Sequence, residues 1–317
     1  MNPLNLKSLP IRTSESCTSD LRVAISRPAF IAPSIWKFIK AHYNEYVKGV
    51  RLAMSMLMPE PTNQTYLLNQ QYSSADNLKA RIELHERFST RNYSWQRWVF
   101  DHFNLPAQAH VLELGCGTGK LWAENLDRIP TGWEITLSDF SAGMLQATKT
   151  QLKKLNHFKF ASFDAQAMPY HAASFDAIIA NHMLYHLPDR KKGLAEIRRV
   201  LKPSGHFFAA TNGLAHLQEL GDLMAKFFDH HPHPTHARAF SLENGRTQLE
   251  EVFTNVELFL FEGNLHVTEA TSVVNYIASY QNLTESQKNE IIEYVETEIA
   301  QQGYFFIRKN TGLFIAC

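Results

Sequence analysis

The stretch HVLELGCGTGKLW, residues 110–122, joins an apolar run to three glycines at alternate positions. The run Val111–Leu114 is predicted to be a buried strand, and a helix is predicted after the glycines. Glycine permits a positive φ and lets a ligand approach the main chain without a Cβ in the way. Any one of these glycines would fit a tight turn without a ligand. Three together between a strand and a helix predict a ligand-binding turn.

The sequence from His110 onward predicts an α/β fold, because short apolar runs alternate with helical patterns. In a parallel sheet of this kind ligands bind beyond the carboxyl ends of the strands, which is where the glycines fall. The predicted strands are Val111–Leu114, Ile135–Ser138, Phe158–Phe163, Ala177–Ala180, Phe207–Thr211, Val256–Phe261 and Leu313–Cys317. The predicted helices are 118–127, 142–155, 189–201, 214–228, 268–280 and 284–302.

The first part of the chain has a different pattern. Several prolines predict an irregular start, and apolar residues at steps of three and four then predict a helix over Ser34–Met58. A second helical region, Asn77–Phe103, is predicted to break near Ser89–Asn92. We therefore expect residues 1–60 to act as a lid or an oligomerisation segment, and residues 61–317 to form the α/β domain.

Composition limits the partners that are expected. Lys+Arg and Asp+Glu both number 31, so there is no positive excess to attract a nucleic acid. The chain has no apolar stretch of the length that spans a membrane. Three scattered cysteines without a CxxC pair are typical of a reducing compartment, so a cytoplasmic location is expected. The expected partner is a small molecule, and the expected state is a monomer or a homodimer.

The glycine turn lacks two common phosphate-binding motifs. A dinucleotide fingerprint that starts at Gly115 would need glycine where Lys120 stands, and no Gly-Lys-Ser/Thr follows the strand as in a P-loop. The sequence ELGCGTG from Glu113 to Gly119 instead resembles motif I of the class I S-adenosylmethionine-dependent methyltransferases. The resemblance continues in order through LSDFSAGML, FDAQAMPY, SFDAIIANHMLYHLPD and RVLKPSGHFFAAT. It is similar above all to the branch that includes the ubiquinone and menaquinone C-methyltransferases.

The resemblance implies a Rossmann-like seven-stranded sheet of order 3-2-1-4-5-7-6, with S-adenosylmethionine as cofactor. Here about 50 residues with two helices separate strands six and seven, which departs from the short connection common in the family and suggests material that covers the substrate. The implied activity is methyl transfer to a small-molecule acceptor by in-line displacement, on oxygen, nitrogen or carbon. A protein or tRNA methyltransferase and a non-catalytic cofactor-binding protein of the same fold are the alternatives.

Cofactor-binding residues follow from the resemblance. Asp139, at the end of the second strand, would accept hydrogen bonds from the ribose hydroxyls, although it could instead belong to the cap of the next helix. Asp164 and the amide of Ala165 would face the adenine, and Asn181 would help to hold the methionine part. The residues expected to bind the cofactor are Glu113, Gly115, Cys116, Gly117, Asp139, Phe140, Asp164, Ala165 and Asn181.

The loop after the fourth strand supplies the candidate catalytic residues His182, Tyr185 and His186. A general base is needed only if the acceptor must lose a proton, and histidine is the usual one near neutral pH. Either histidine could instead be structural. The two are four residues apart and could share one face of a helical turn, but no third ligand is evident, so no metal is expected. The stretch FFDHHPHPTH, residues 227–236, is interpreted as a mobile polar loop rather than a metal tract.

Overall fold

The structure is a computed structural model that describes residues 75–152, 158–228 and 236–317. The predicted helix Ser34–Met58 lies outside these residues, so the role of residues 1–60 stays a prediction. The nine strands in the described part are β1 (His110–Leu114), β2 (Glu134–Ser138), β3 (Phe158–Ala161), β4 (Phe175–Asn181), β5 (Leu201–Asn212), β6 (Val256–Leu260), β7 (Asn264–Val267), β8 (Phe305–Arg308) and β9 (Thr311–Ala316). Its ten α-helices are α1 (Ala75–Phe88), α2 (Trp95–Asp101), α3 (Lys120–Ala123), α4 (Ala142–Gln151), α5 (Arg190–Val200), α6 (Gln218–Phe227), α7 (His236–Ala239), α8 (Gly245–Leu249), α9 (Ala270–Ala278) and α10 (Glu285–Gln302).

Seven strands form one mixed sheet in the order β3-β2-β1-β4-β5-β9-β6. Strands β1 to β5 are parallel, while β9 is antiparallel to both β5 and β6. Because β9 is the seventh strand of this sheet, the predicted order 3-2-1-4-5-7-6 is confirmed. The carboxyl ends of the parallel strands therefore meet at one edge, where β1 ends at the glycine turn.

The central strands are buried on both faces, which explains why they are continuous apolar runs. Residues at alternate positions face two separate cores, so that Ile178 of β4 packs with the residues of α5 and Ile179 packs with those of α2. Both isoleucines are fully buried. This sandwich of helices around the sheet holds the strand ends in fixed positions.

The insertion between β6 and β9 contains more than the two predicted helices. Strands β7 and β8 pair in a separate antiparallel ribbon, on which α1, α6, α9 and α10 form a third apolar core. The sequence interpretation missed this ribbon because each strand has only four residues. The helices of the insertion are confirmed at Ala270–Ala278 and Glu285–Gln302.

Some predicted boundaries were wrong for local reasons. Helix α3 ends at Ala123 instead of 127, because the Asn125 side chain donates to the Leu121 carbonyl at 2.8 Å and takes the acceptor that a continuing helix would use. Strand β5 begins at Leu201, before Pro203, where the pairing with β4 shifts in register. Of the helices within 75–152, 158–228 and 236–317, none is long and apolar enough to cross a bilayer.

Candidate functional site

A cavity of about 1000 Å³ lies at the carboxyl ends of the parallel strands. The turns after β1, β2, β3 and β4 all contribute to its wall, as expected for an open α/β sheet. Every residue predicted to bind cofactor or to act in catalysis lines this one cavity. These residues are Glu113, Gly115, Cys116, Gly117, Asp139, Phe140, Asp164, Ala165, Asn181, His182, Tyr185 and His186.

The three glycines after β1 all lie in the left-handed region, with φ of 67° at Gly115, 55° at Gly117 and 78° at Gly119. A Cβ on Gly115 would lie 2.9 Å from the Cβ of Met183, and one on Gly119 would lie 2.6 Å from Cγ2 of Thr148. A Cβ on Gly117 would meet no described atom within 4 Å. The outer glycines are therefore required by packing, whereas the middle one leaves open space on the cavity side.

Asp139 connects the turn after β1 to the turn after β2. Its Oδ2 accepts a hydrogen bond from the Gly117 N–H at 2.9 Å, and its Oδ1 accepts one from the Ser141 N–H at 2.8 Å. Ser141 is the residue that caps α4, by accepting from the Met144 N–H. Burial raises the pKa of Asp139, and the two backbone donors oppose that rise. A carboxylate has about four acceptor positions, so this one keeps capacity for a ligand.

Glu113 and Asn181 form a buried polar pair beside the glycine turn. The Trp122 indole N–H donates to Oε2 of Glu113 at 2.7 Å, and the Asn181 side chain also donates to this carboxyl. Burial raises the pKa of Glu113 to about 7. The Oδ1 atom of Asn181 is buried and has no hydrogen-bond partner among the described residues. Leaving such an acceptor unpaired costs about 1–3 kcal/mol, which a donor group on a ligand would offset.

His182 lies at the end of β4 with φ of 53°, a left-handed conformation that histidine adopts more readily than most residues. Its N–H donates to the Ala210 carbonyl, and its ring packs against Trp95 at 5.3 Å. Burial, followed by the charge of Lys309, lowers the pKa of His182 to about 4. Its Nδ1 is the second buried atom without a hydrogen-bond partner in the described part of the chain.

The premise that His182 and His186 share a face of one helical turn is wrong. A 3₁₀ turn covers Leu184–His186, and His182 precedes this turn, in the left-handed region. Tyr185 and His186 pack ring against ring at 4.6 Å within that turn. No group of three or more His, Cys, Asp or Glu side chains placed to hold a metal is found in the described residues. Residues 229–235 of the histidine-rich stretch lie outside them.

The turn after β3 has its own carboxylate. Asp164 accepts from the backbone N–H of Gln166 at 2.9 Å and from the Gln166 side-chain amide at 3.0 Å. Ala165 is buried next to it, while Phe140 on the facing turn is 45% exposed. Cys116 is buried, and burial raises the pKa of its thiol, so it stays protonated. It therefore contributes to the turn through its backbone rather than as a nucleophile.

The cavity also has lining residues that the sequence interpretation missed. Arg81 and His85 come from α1, Tyr276 from α9, Tyr280 follows that helix, and Lys309 precedes β9. They are far apart in the sequence and carry no local motif, and the pattern of α1 and α9 indicated only amphipathic helices. The tertiary packing of the insertion brings them to the strand ends.

Residues 112–209 match the family model described as a methyltransferase domain. The ubiquinone/menaquinone biosynthesis C-methyltransferase UbiE of Hahella chejuensis is 32% identical over 116 residues, which are 35% of this chain and 46% of that protein. The demethylmenaquinone methyltransferase of Staphylococcus aureus (strain Newman) is 34% identical over 113 residues, 35% of this chain and 46% of that protein. The chain thus matches about half the length of these curated relatives.

Solved structures agree on the fold. The YcgJ protein from Bacillus subtilis superposes with a TM-score of 0.50 at 16% identity, over 70% of this chain and 96% of that one. Phosphoethanolamine N-methyltransferase 2 of Haemonchus contortus gives a TM-score of 0.51 at 15% identity, over 82% of this chain and 60% of that one. The sheet order, the glycine turn and the family match together identify a class I S-adenosylmethionine-dependent methyltransferase domain, with distant similarity to UbiE and the demethylmenaquinone methyltransferases.

Proposed function

We propose that the protein transfers a methyl group from S-adenosylmethionine to a small-molecule acceptor. The observation that carries this proposal is the location of the groups suited to the cofactor. They all lie at one end of the cavity, on the turns after β1 to β4. Ligand pockets usually have volumes of about 300–1000 Å³, so a cavity of about 1000 Å³ has room for a second small molecule.

The residues at one end of the cavity fit S-adenosylmethionine. Asp139 would accept from the ribose hydroxyls, and Asp164 with the amide of Ala165 would face the adenine. The unpaired Oδ1 of Asn181 would accept from the ammonium group of the methionine part, next to the carboxyl of Glu113. When bound, this cofactor supplies an electrophilic methyl group on a positively charged sulfonium. Three acidic side chains at this end match a cationic ligand.

The contribution of the chain to methyl transfer would be chiefly alignment. Holding two reactants at attack distance and in line can supply roughly 7–11 kcal/mol of the barrier. The turns after β1 and β4 suit this task, because backbone hydrogen bonds from Cys116 to Ser138 and from His182 to Ala210 hold them to the neighbouring strands. The matched relatives include a C-methyltransferase and an N-methyltransferase by name, so they leave the acceptor atom open.

Proton removal is the one catalytic step that would need a specific side chain. His182 is held unprotonated in the neutral range, which leaves its ring able to accept a proton but makes it a weak base. His186 and Tyr185 lie on the adjacent turn. For a hydroxyl or acidic-carbon acceptor, His→Gln at the true base should lower kcat by about 100-fold or more while cofactor affinity holds.

Steady-state kinetics of His182→Gln and His186→Gln would decide this point, once an acceptor is known. If both variants keep a kcat near that of the wild type with a hydroxyl acceptor, neither histidine is the base. An amine acceptor that is nucleophilic once neutral would make both substitutions nearly neutral in kcat.

Calorimetry with S-adenosylhomocysteine and NAD⁺ tests the proposed function itself. We expect the wild type to bind S-adenosylhomocysteine only, and Asp139→Ala to weaken binding by at least about 1.5 kcal/mol, the scale of a hydrogen bond to a charged group. Asp127→Ala is the control, since Asp127 is an exposed carboxylate that pairs with Arg97 outside the cavity. Binding of NAD⁺ instead, or unchanged affinity in Asp139→Ala, would contradict the proposal.

A further inference from the structure

Two cations lie over the same aromatic ring at the far end of the cavity. The Nζ atom of Lys309 is 4.9 Å from the ring centroid of Phe261, and Cζ of Arg91 is 4.5 Å from it. Phe261 follows β6, and Lys309 stands two residues before Thr311, which pairs with Asn212 at the carboxyl end of β5. The pair therefore lies above β5, β9 and β6 rather than above β1 and β2.

Neither cation has a carboxylate partner among the described side chains. Apart from the Phe261 ring, the guanidinium of Arg91 is bonded among the described residues to one backbone carbonyl, that of Glu262, at 3.4 Å. Burial, and then the charge of Arg91, lowers the pKa of Lys309 to about 8. Two like charges held together at a partly buried site without an opposite charge are unfavourable. An anion bound in the cavity beside both cations would explain their arrangement.

The carboxylates that line the cavity are engaged elsewhere or exposed. Glu86 and Glu124 both pair with Lys120, and Glu113 accepts from the Trp122 indole. Asp139 and Asp164 accept backbone hydrogen bonds in their own turns. Asp222 lies on the exposed side of α6. The far end of the cavity therefore carries a positive charge that no described acidic group balances.

The other titratable groups near Lys309 do not supply a negative charge. The pKa of His85 falls to about 3 and that of His182 to about 4, in both cases chiefly through burial and next through Lys309. Both rings are therefore neutral at physiological pH. The apolar part of the wall comes from Phe261 and Trp95, whose rings meet edge to face at 5.3 Å. This end of the cavity thus offers two cations beside an aromatic wall.

Sheet geometry separates this end from the cofactor groups. Neighbouring strands are about 4.8 Å apart, so β5 lies roughly 14 Å from β2, which carries Asp139, and roughly 10 Å from β1. Asn181 and His182, at the end of β4, stand between the two regions. A ligand at Lys309 therefore occupies the place where the acceptor of a methyl group would lie.

We propose that the methyl acceptor carries an anionic group, a carboxylate or a phosphate, that Lys309 and Arg91 bind against the aromatic wall of Phe261 and Trp95. The inference rests on the proposed function, since it takes the other end of the cavity to hold S-adenosylmethionine. It also disfavours a cationic acceptor, because the pair would repel a second ammonium group at this end.

The test uses the full chain saturated with S-adenosylhomocysteine and three aromatic probes followed by calorimetry. Benzoate and phenyl phosphate carry the two anions, and benzamide is the neutral counterpart of benzoate. We expect both anions to bind more tightly than benzamide, and the tighter of the two identifies the anionic group. Lys309→Gln should weaken anion binding by about tenfold or more, since it removes a charged contact at a partly buried site.

Variants of the pair and a distant lysine complete the design. Arg91→Gln should weaken anion binding in the same direction, while Lys309→Arg keeps the charge and should restore most of it. Lys288→Gln is the control, because Lys288 pairs with Glu285 on the surface of α10 and does not line the cavity. Thermal unfolding of each variant shows whether a loss of binding reflects a loss of fold.

Three results would overturn the inference. They are equal binding of benzamide and benzoate, anion binding that Lys309→Gln leaves unchanged, and a loss of S-adenosylhomocysteine affinity in Lys309→Gln without a loss of anion affinity. The last result would mean that Lys309 holds the carboxylate of the cofactor itself. Failure of the wild type to bind S-adenosylhomocysteine would contradict the proposed function instead, and titration of the free protein with benzoate would still test the cation pair.

Discussion

At the scale of single residues, Glu113 is the most perturbed carboxyl on the cofactor side of the cavity. It is 2% exposed and accepts hydrogen bonds from Trp122 and Asn181. Those donors favour the ionised form, but the cost of burying the charge is larger and raises the pKa to about 7. The carboxyl is thus partly protonated near neutral pH, and a cationic ligand beside it would favour the ionised form.

Glu113 should make the stability of the free protein depend on pH. Because its folded-state pKa is above the ordinary 4.5, its contribution is fully present below about pH 4.5 and is lost as the pH rises through about 7. Glu113→Gln removes this dependence. The free energy of unfolding of the wild type, relative to the variant, should fall by on the order of 3 kcal/mol between pH 4.5 and 8.

Urea unfolding of both proteins at several pH values measures that difference. The buried histidines His85 and His182 have lowered pKa values, so their contribution is lost in the opposite direction, as the pH falls below about 6.5. That contribution is common to both proteins and cancels in the comparison. Parallel stability curves for wild type and Glu113→Gln would show that folding leaves the pKa of this carboxyl at its ordinary 4.5.

At the scale of elements, Gly117 and Gly119 meet different requirements in the turn between β1 and α3, one for open space and one for close packing. Gly119 packs against the methyl group of Thr148. The Thr148 hydroxyl is shared between the carbonyls of Gly117 and Met144, so the Thr148 side chain cannot easily move away. Gly117 has open space on its cavity side and donates its N–H to Asp139. Gly119 is therefore required by packing, and we propose that Gly117 leaves room for the ligand.

Alanine substitutions should separate these tasks. Gly119→Ala combines a left-handed φ with a close contact and should lower the free energy of unfolding by roughly 2–5 kcal/mol. Gly117→Ala adds only the conformational cost of about 1–2 kcal/mol, but its methyl group should markedly weaken S-adenosylhomocysteine binding. Chemical denaturation and calorimetry on the two variants measure both effects. Equal stability losses, with equal cofactor affinities, would contradict this division.

Elements with a strong local signal were predictable from the sequence, and those that depend on tertiary packing were not. The apolar runs of β1 and β4 and the glycines after β1 indicated the sheet and its binding turn. The end of α3 depends on the Asn125 side chain, and the ribbon of β7 and β8 consists of strands too short to show a period. His182 does not share a helical turn with His186 because its φ is positive, and the spacing of residues in the sequence does not reveal φ.

At the scale of the whole described part of the chain, the insertion between β6 and β9 supplies residues of the cavity wall that lie away from the proposed cofactor groups. It places Lys309 above β5, and its α9 contributes Tyr276 to the same cavity. Arg91 comes from the connection between α1 and α2, at the opposite end of the described sequence. The residues proposed to hold the cofactor could therefore be named from motifs, whereas those proposed to hold the acceptor depend on the three-dimensional arrangement.

The most direct measurement of the central claim is a crystal structure of the protein with S-adenosylhomocysteine. We expect the ribose hydroxyls within hydrogen-bond distance of Asp139 and the adenine beside Asp164 and Ala165. The amino group should contact Oδ1 of Asn181, and the sulfur should face the space that leads to Lys309. A ligand with its ribose away from Asp139, or with its carboxylate on Lys309, would contradict this account of the cavity.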